Sequence, residues 1–246
     1  MLGSSSALHR AMLASLRPSY REGGEALSIS EQIALQLADD IVNGHYAPND
    51  RLQEIGIAEH FRVSRGPVRE ALRILENAGL VTIAPRRGAI VTQLSEQEVA
   101  DIFEIRGVLS GLGARRLACN RNDREIAMLR HHLAQLKTLA HKQGPEADAQ
   151  YVEAVISFGL AISEASGNKR LNSLVTLLFH QTLRYSRLGL SSVERRVQSF
   201  ANWNRLVDHI IAGEADEAEH IARLLIEQSK THAIQLLKSE NARAGS

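Results

Sequence analysis

The chain has 246 residues, with 29 Lys and Arg against 28 Asp and Glu. A net charge of +1 carries no global electrostatic signal, so any nucleic-acid site must be a local patch. Cys119 is the single cysteine, which excludes an internal disulfide and fits a reducing compartment. No apolar run approaches the length of a membrane span, so a cytoplasmic protein of one large or two modest domains is expected.

Residues 1–26, with Gly3-Ser4-Ser5-Ser6 and Glu22-Gly23-Gly24-Glu25, read as a flexible N-terminal arm. Ser28-Ile29-Ser30-Glu31 is a capping-box pattern that opens a helix carrying Ile33, Leu37 and Ile41 on one face. Asn43-Gly44 ends it, and Ala47-Pro48-Asn49-Asp50 reads as a turn. A short helix is predicted from Gln53 to Phe61. Arg62-Val63 then turns the chain into a third helix that ends at Asn77-Ala78-Gly79.

This third helix is the most telling segment. Ser64 stands where a side chain can cap the first turn, and Pro67 is tolerated there because no amide donor is needed. Arg65, Arg69 and Arg73 recur at four-residue spacing on one side, beside an apolar stripe of Val68, Ala71, Leu72 and Leu75. Such a helix suits the major groove of DNA, where Arg can donate two hydrogen bonds to guanine. Between Phe61 and Thr92, six arginines (Arg62, Arg65, Arg69, Arg73, Arg86, Arg87) face two glutamates (Glu70, Glu76), a local balance of +4.

Leu80-Val81-Thr82-Ile83 and Ala89-Ile90-Val91-Thr92 flank Ala84-Pro85-Arg86-Arg87-Gly88, a β-hairpin with arginines at its tip. Three helices and a hairpin make a winged helix-turn-helix over residues 27–94. Beyond Leu94 only helical periodicity remains, in segments near 95–119, 122–142, 147–166, 168–188, 191–212 and 214–238. Short connections predict an antiparallel bundle over 95–239 and a flexible tail at 240–246. The fold class expected is mainly α.

Three stripes point into the bundle: Val152, Val155, Ile156, Gly159 and Ile162; Val197, Phe200, Trp203, Val207 and Ile210; and Ala218, Ala222, Leu225 and Ser229. Gly159 in mid-helix is tolerated best where a neighbour needs its space. Arg106 sits inside the stripe of Val99, Ile102, Phe103, Leu109 and Gly113. A buried guanidinium requires partners; either an internal ion pair or a structural hydrogen-bond set holds it, or it anchors an effector carboxylate or phosphate through a bidentate fork. Tyr185 is placed beside the core stripe of its helix, where it packs or adds a hydroxyl to the same site, and Trp203 either stacks on a ligand or fills space. His180 is expected to be exposed, opposite a stripe of Leu171, Leu174 and Leu178, and His232 to lie near a helix end. The histidines form neither Glu-x-x-His nor His-x₃-His, so no metal site and no cofactor are read from them.

The run from Ser30 to Val91 resembles the GntR family of bacterial transcription regulators. The resemblance rests on Asn43-Gly44, Leu52, Glu54, Ala58, Val63-Ser64-Arg65, Pro67-Val68-Arg69-Glu70-Ala71-Leu72, Leu75, Gly79-Leu80-Val81 and Arg87-Gly88-Ala89. The remainder resembles the FadR-type effector domain, the FCD subgroup, through Glu104-Ile105-Arg106, Phe158 with Ala165-Ser166-Gly167-Asn168, and Ile210-Ile211-Ala212-Gly213-Glu214.

The resemblance implies a homodimer that binds double-stranded operator DNA at a short inverted repeat. Arg65 and Arg69 would touch bases or phosphates, with Ser64, Arg73 and Arg51 nearby, and Arg86, Arg87 and Gly88 would approach the minor groove. One base-contacting position of the second helix is Ile55 here. The resemblance also implies a small-molecule effector, an organic acid or acidic amphipath, at a site including Arg106, Gly159, Tyr185 and Trp203. Many FCD domains hold a divalent metal with one Asp and three His; the corresponding positions here are Val155, Gly159, Trp203 and Leu225, none can ligate, and Trp203 is expected to occupy some of the volume that the metal and its ligands would fill. A ligand-responsive repressor of a metabolic operon is the function expected. A regulator whose helical domain is plugged by Trp203 and only dimerises, and an all-helical enzyme, stand as alternatives. No nucleophile–base pair or phosphate loop supports the enzyme.

Overall fold

The computed structural model describes residues 27–42, 44–84 and 87–244. The expected N-terminal arm lies outside them, as does Arg86 of the hairpin tip. The chain divides into two compact units that meet between Leu94 and Ser95.

The first unit opens with α1 (Ile29–Val42). The capping box forms: Ser28 N and Oγ both donate to a Glu31 carboxylate oxygen, at 2.8 and 2.7 Å, and Glu31 N donates back to Ser28 Oγ at 3.3 Å. β1 (Arg51–Leu52), α2 (Glu54–Phe61), α3 (Arg65–Asn77), β2 (Val81–Ala84) and β3 (Gly88–Val91) follow. The hairpin is as expected, but the sheet has a third strand. β1 pairs antiparallel with β3 on the side away from β2, aligning Arg51 with Ile90 and Leu52 with Ala89. A two-residue strand carries no alternation for a sequence pattern to detect. Ile33, Leu37, Leu52, Val68, Leu72, Leu75, Val81 and Val91 share one core, which closes the helices over the sheet.

Six helices among the described residues build the second unit: α4 (Glu96–Asn120), α5 (Asp123–Ala140), α6 (Pro145–Ala165), α7 (Lys169–Gly189), α8 (Val193–Ala212) and α9 (Ala215–Ala244). Capping boxes start α4 and α5, through Ser95 with Glu98 and Asn122 with Glu125. Asn168 caps α7 by accepting from two amides. α9 runs past residue 239, where a tail was expected, because no breaker interrupts it; His232 therefore lies inside a helix rather than near its end.

The phase of α7 differs from the leucine stripe read in the sequence. Leu174 is 51% exposed, and the buried residues are Leu171, Val175, Thr176, Phe179, Thr182, Leu183, Tyr185 and Ser186. Apolar count misled here because the interior side includes hydroxyls. The side chain of His180 lies outside the described residues. Among the described residues, no helix is long and apolar enough to cross a membrane.

Candidate DNA-reading face and effector cavity

In the first unit, α3 presents Arg65, Arg69 and Arg73 to solvent while Val68, Ala71 and Leu75 on its other side are fully buried. Arg69 is engaged rather than free: its Nε donates to Glu54 on α2 at 2.9 Å. Arg73 lies 3.6 Å from Glu70. Both pairs are exposed, so each contributes little to stability; the first sets where the Arg69 guanidinium sits. Ser64 occupies the N-cap position but forms no side-chain cap. The capping expectation is corrected, and the Ser64 hydroxyl remains exposed at the head of α3.

Gly88 opens β3 with φ +78, a conformation that a side chain would strain. A Cβ there would also come within 3.7 Å of the Arg51 Nε. The Arg51 side chain thus lies along the wing, brought there by β1. Arg87 is exposed beside it. Glu54 and the β1 placement of Arg51 were not foreseen; an acidic residue in the first turn of α2 was the available signal for Glu54.

In the second unit, a cavity of about 50 Å3 opens among α4, α6, α7, α8 and α9. That is several times the space one water needs. Arg106, Gly159 and Trp203 line it, so three of the four expected residues converge. Tyr185 does not line it; although buried, it yields the wall to its neighbour Ser186. Val155, Gly159, Trp203 and Leu225 all line the same cavity. Their side chains offer no electron pair suited to a metal: three are hydrocarbon or absent, and an indole nitrogen only donates. The residues present therefore do not fit the ion that related domains hold. Space remains beside Trp203, so the indole does not plug the site.

Arg106 is 3% exposed and is the one charged residue among the described lining. No carboxylate among the described residues pairs with it; hydroxyl groups hold it instead, as in the hydrogen-bond reading of its burial. Its Nη1 donates to Thr182 Oγ1 at 2.5 Å and to Ser186 Oγ at 3.2 Å. The rings of Phe103 and Phe179 lie 4.8 and 4.2 Å from the guanidinium carbon. Burial pulls its pKa down to about 9, so it stays charged at neutral pH. Phe103, three residues earlier on the same helix, was legible as a neighbour; Thr182 and Ser186, one turn apart on α7, were not.

Gly159 provides close approach, chiefly to Phe179. A Cβ there would meet Phe179 Cζ at 3.0 Å, and Trp203 only at 4.0 Å. The ring that takes the space is the one stacked on Arg106, not the indole. Trp203 instead heads a stack of three rings: Phe158 lies 4.6 Å from it, and His132 lies 5.0 Å beyond on Phe158. Burial, then the adjacent His131, lowers the His132 pKa.

His132 links stability to pH. Its folded pKa lies below the ordinary 6.5, so the unfolded chain takes up the proton first as pH falls. The stabilisation is full above about 6.5 and is lost as pH drops through the folded value. The melting temperature is expected to fall between pH 7 and 5, and His132→Gln should flatten that slope. An unchanged slope in the variant would assign the acid sensitivity elsewhere.

A model of the bacterial regulatory proteins of the gntR family matches residues 29–91, and a model of the FCD domain matches residues 101–228. An uncharacterized HTH-type transcriptional regulator of Bacillus subtilis, YdhC, is 26% identical over 205 residues, 78% of this chain and 90% of that protein. The Escherichia coli HTH-type transcriptional repressor GlaR is 26% identical over 196 residues, 76% of this chain and 87% of that protein. Among solved structures, Escherichia coli McbR/YncC superposes with a TM-score of 0.73 at 22% identity, over 86% of this chain and all of that one. This last likeness concerns the fold. Members of this family are DNA-binding transcription regulators rather than enzymes, and the helical domain is their effector domain. The chain belongs to the GntR family of bacterial transcription regulators and carries an FCD effector domain.

Proposed function

We propose that this regulator is a ligand-responsive repressor that binds a short inverted repeat as a homodimer. The observation that carries the reading is the two-sided α3, with arginines in solvent and a fully buried opposite face. Arg65 and Arg69 read bases from the major groove, with Glu54 orienting Arg69. Arg73, Arg51 and the Ser64 hydroxyl face phosphates, which position the protein without carrying sequence information. Ile55 is 51% exposed on α2 and offers an apolar contact to a thymine methyl group. Arg87, Gly88 and, by its place in the chain, Arg86 approach the minor groove. The repressor assignment is supported by the name of the Escherichia coli relative.

The second copy is assigned to α4, where Ile105, Val108 and Leu112 are 52%, 47% and 38% exposed along one face. Antiparallel pairing of two such faces about a two-fold axis sets Ile105 against Leu112 and the exposed Asp101 against the exposed Arg116. In the helical unit, Arg106 anchors an organic acid or the acidic head of an amphipath. The ligand shifts operator affinity by binding one arrangement of the dimer more tightly than the other.

Gel shift on DNA upstream of the protein's own gene tests the reading. Arg69→Ala is expected to cost about 1–3 kcal/mol and to relax base preference at one position per half-site. Arg87→Ala should weaken binding to all sequences alike, and removal of either half-site should weaken binding sharply. Wild-type affinity for both variants would overturn the assignment of α3 and the wing.

A further inference from the structure

Arg106 has an unused edge. Its Nη1 is committed to Thr182 and Ser186, while among the described residues its buried Nε has no acceptor and none engages Nη2. Nε and Nη2 form the side-on fork of a guanidinium, the pair of parallel donors that matches the two oxygens of a carboxylate. Two further buried polar atoms of the cavity wall lack partners, Ser163 Oγ and Trp203 Nε1. Orphaned buried donors are costly, and three around one cavity mark where a ligand's acceptors belong.

Charge and chemistry narrow that ligand. The described wall holds one positive charge and no other ionisable group. A second or third carboxylate would be buried without a counter-charge, at a large desolvation cost. The four positions that could have supplied a metal as that counter-charge are Val155, Gly159, Trp203 and Leu225, which makes this part of the wall apolar instead.

We infer that the cavity takes a small monocarboxylate with an apolar body, held by the Nε–Nη2 fork of Arg106 without a metal ion. This rests on the reading of the helical unit as an effector site. Trp203 Nε1, which only donates, selects a body that carries one further acceptor oxygen.

Trp203 is the only tryptophan of the chain, so its emission reports on this wall directly. The full-length protein is titrated with benzoate and 4-hydroxybenzoate in EDTA, and separately with citrate and malate, with and without added Zn²⁺ or Ni²⁺. Each titration is followed by Trp203 fluorescence and calorimetry. The aromatic monocarboxylates are expected to bind in EDTA, and citrate and malate not to bind under either condition. Arg106→Met should weaken benzoate by roughly 10- to 100-fold. Arg106→Lys keeps the charge but loses the fork, so it should weaken binding as well; melting curves establish that both variants fold. Binding of citrate or malate alone, and only with added metal, overturns the monocarboxylate inference and leaves the effector reading standing. Unchanged benzoate affinity in Arg106→Met overturns the role of the fork. No heat and no fluorescence change with any of the four acids overturns both the inference and the acid-effector reading.

Discussion

Arg196→Ala is expected to lower the stability of the helical unit by about 2–5 kcal/mol. Arg196 is 1% exposed, among the largest fully buried side chains. Its Nη1 donates to Asp148, its Nη2 to the Lys142 carbonyl at 2.6 Å, and its own carbonyl accepts from Tyr151 Oη at 2.9 Å. One residue thus ties α8 to α6 and to the end of the α5 connection. Truncation leaves a cavity and a carbonyl stripped of its donor. Asp148 is 38% exposed, so water replaces much of what that carboxylate loses. Asp148→Asn should therefore cost less than half as much as Arg196→Ala. Urea unfolding checks both, with the midpoint moving and the slope constant. Equal losses would mean that the ion pair, not the packing, holds this corner.

Arg106→Met is expected to act in the opposite direction and raise stability by about 1–3 kcal/mol. Burial depresses the folded pKa to about 9, well below that of the solvated guanidinium in the unfolded chain. Below both values the side chain is charged in both states, so at neutral pH the whole desolvation penalty is present; it would vanish only above the unfolded value. Two hydroxyl acceptors and two aromatic rings offset part of it. Methionine keeps most of the volume and removes the charge, and Thr182 retains its own bond to the Leu178 carbonyl at 2.7 Å. The melting temperature should rise by roughly 2–4 °C per kcal/mol. A fall would show that hydroxyls and rings outweigh desolvation. A rise, with acid binding lost, would show stability given up for function.

Periodicity carried most of the fold. The amphipathic α3, the hairpin and the helical succession after Leu94 were all legible, because each buries one apolar face at its own repeat. The convergence of Arg106, Gly159 and Trp203 was legible for the same reason, since all three fall within inward-facing stripes. α7 was misread because its inward face mixes Thr176, Thr182 and Ser186 with Val175 and Phe179, and hydroxyls weigh against burial in any apolar count. Tyr185 packs in the core, one of the two readings its position allowed, and lies off the cavity wall. Arg196 was missed although it stands in line with Trp203 and Val207; the rule that singled out Arg106 applied to it equally. The Glu54–Arg69 bridge joins two helices through side chains fifteen residues apart, and no local pattern reports that distance.

The two-residue strand β1 has a consequence for DNA association. A wing joined to its domain only through its own turn would lose backbone freedom on meeting DNA, at about 1–2 kcal/mol per residue fixed. Here β3 is hydrogen-bonded on both flanks, to β2 and to β1, and Arg51 is carried on the same strand that braces it. The ordering of β3 is completed during folding rather than at the operator. Contacts made through the wing therefore start from a preorganised surface, with less binding free energy diverted to entropy.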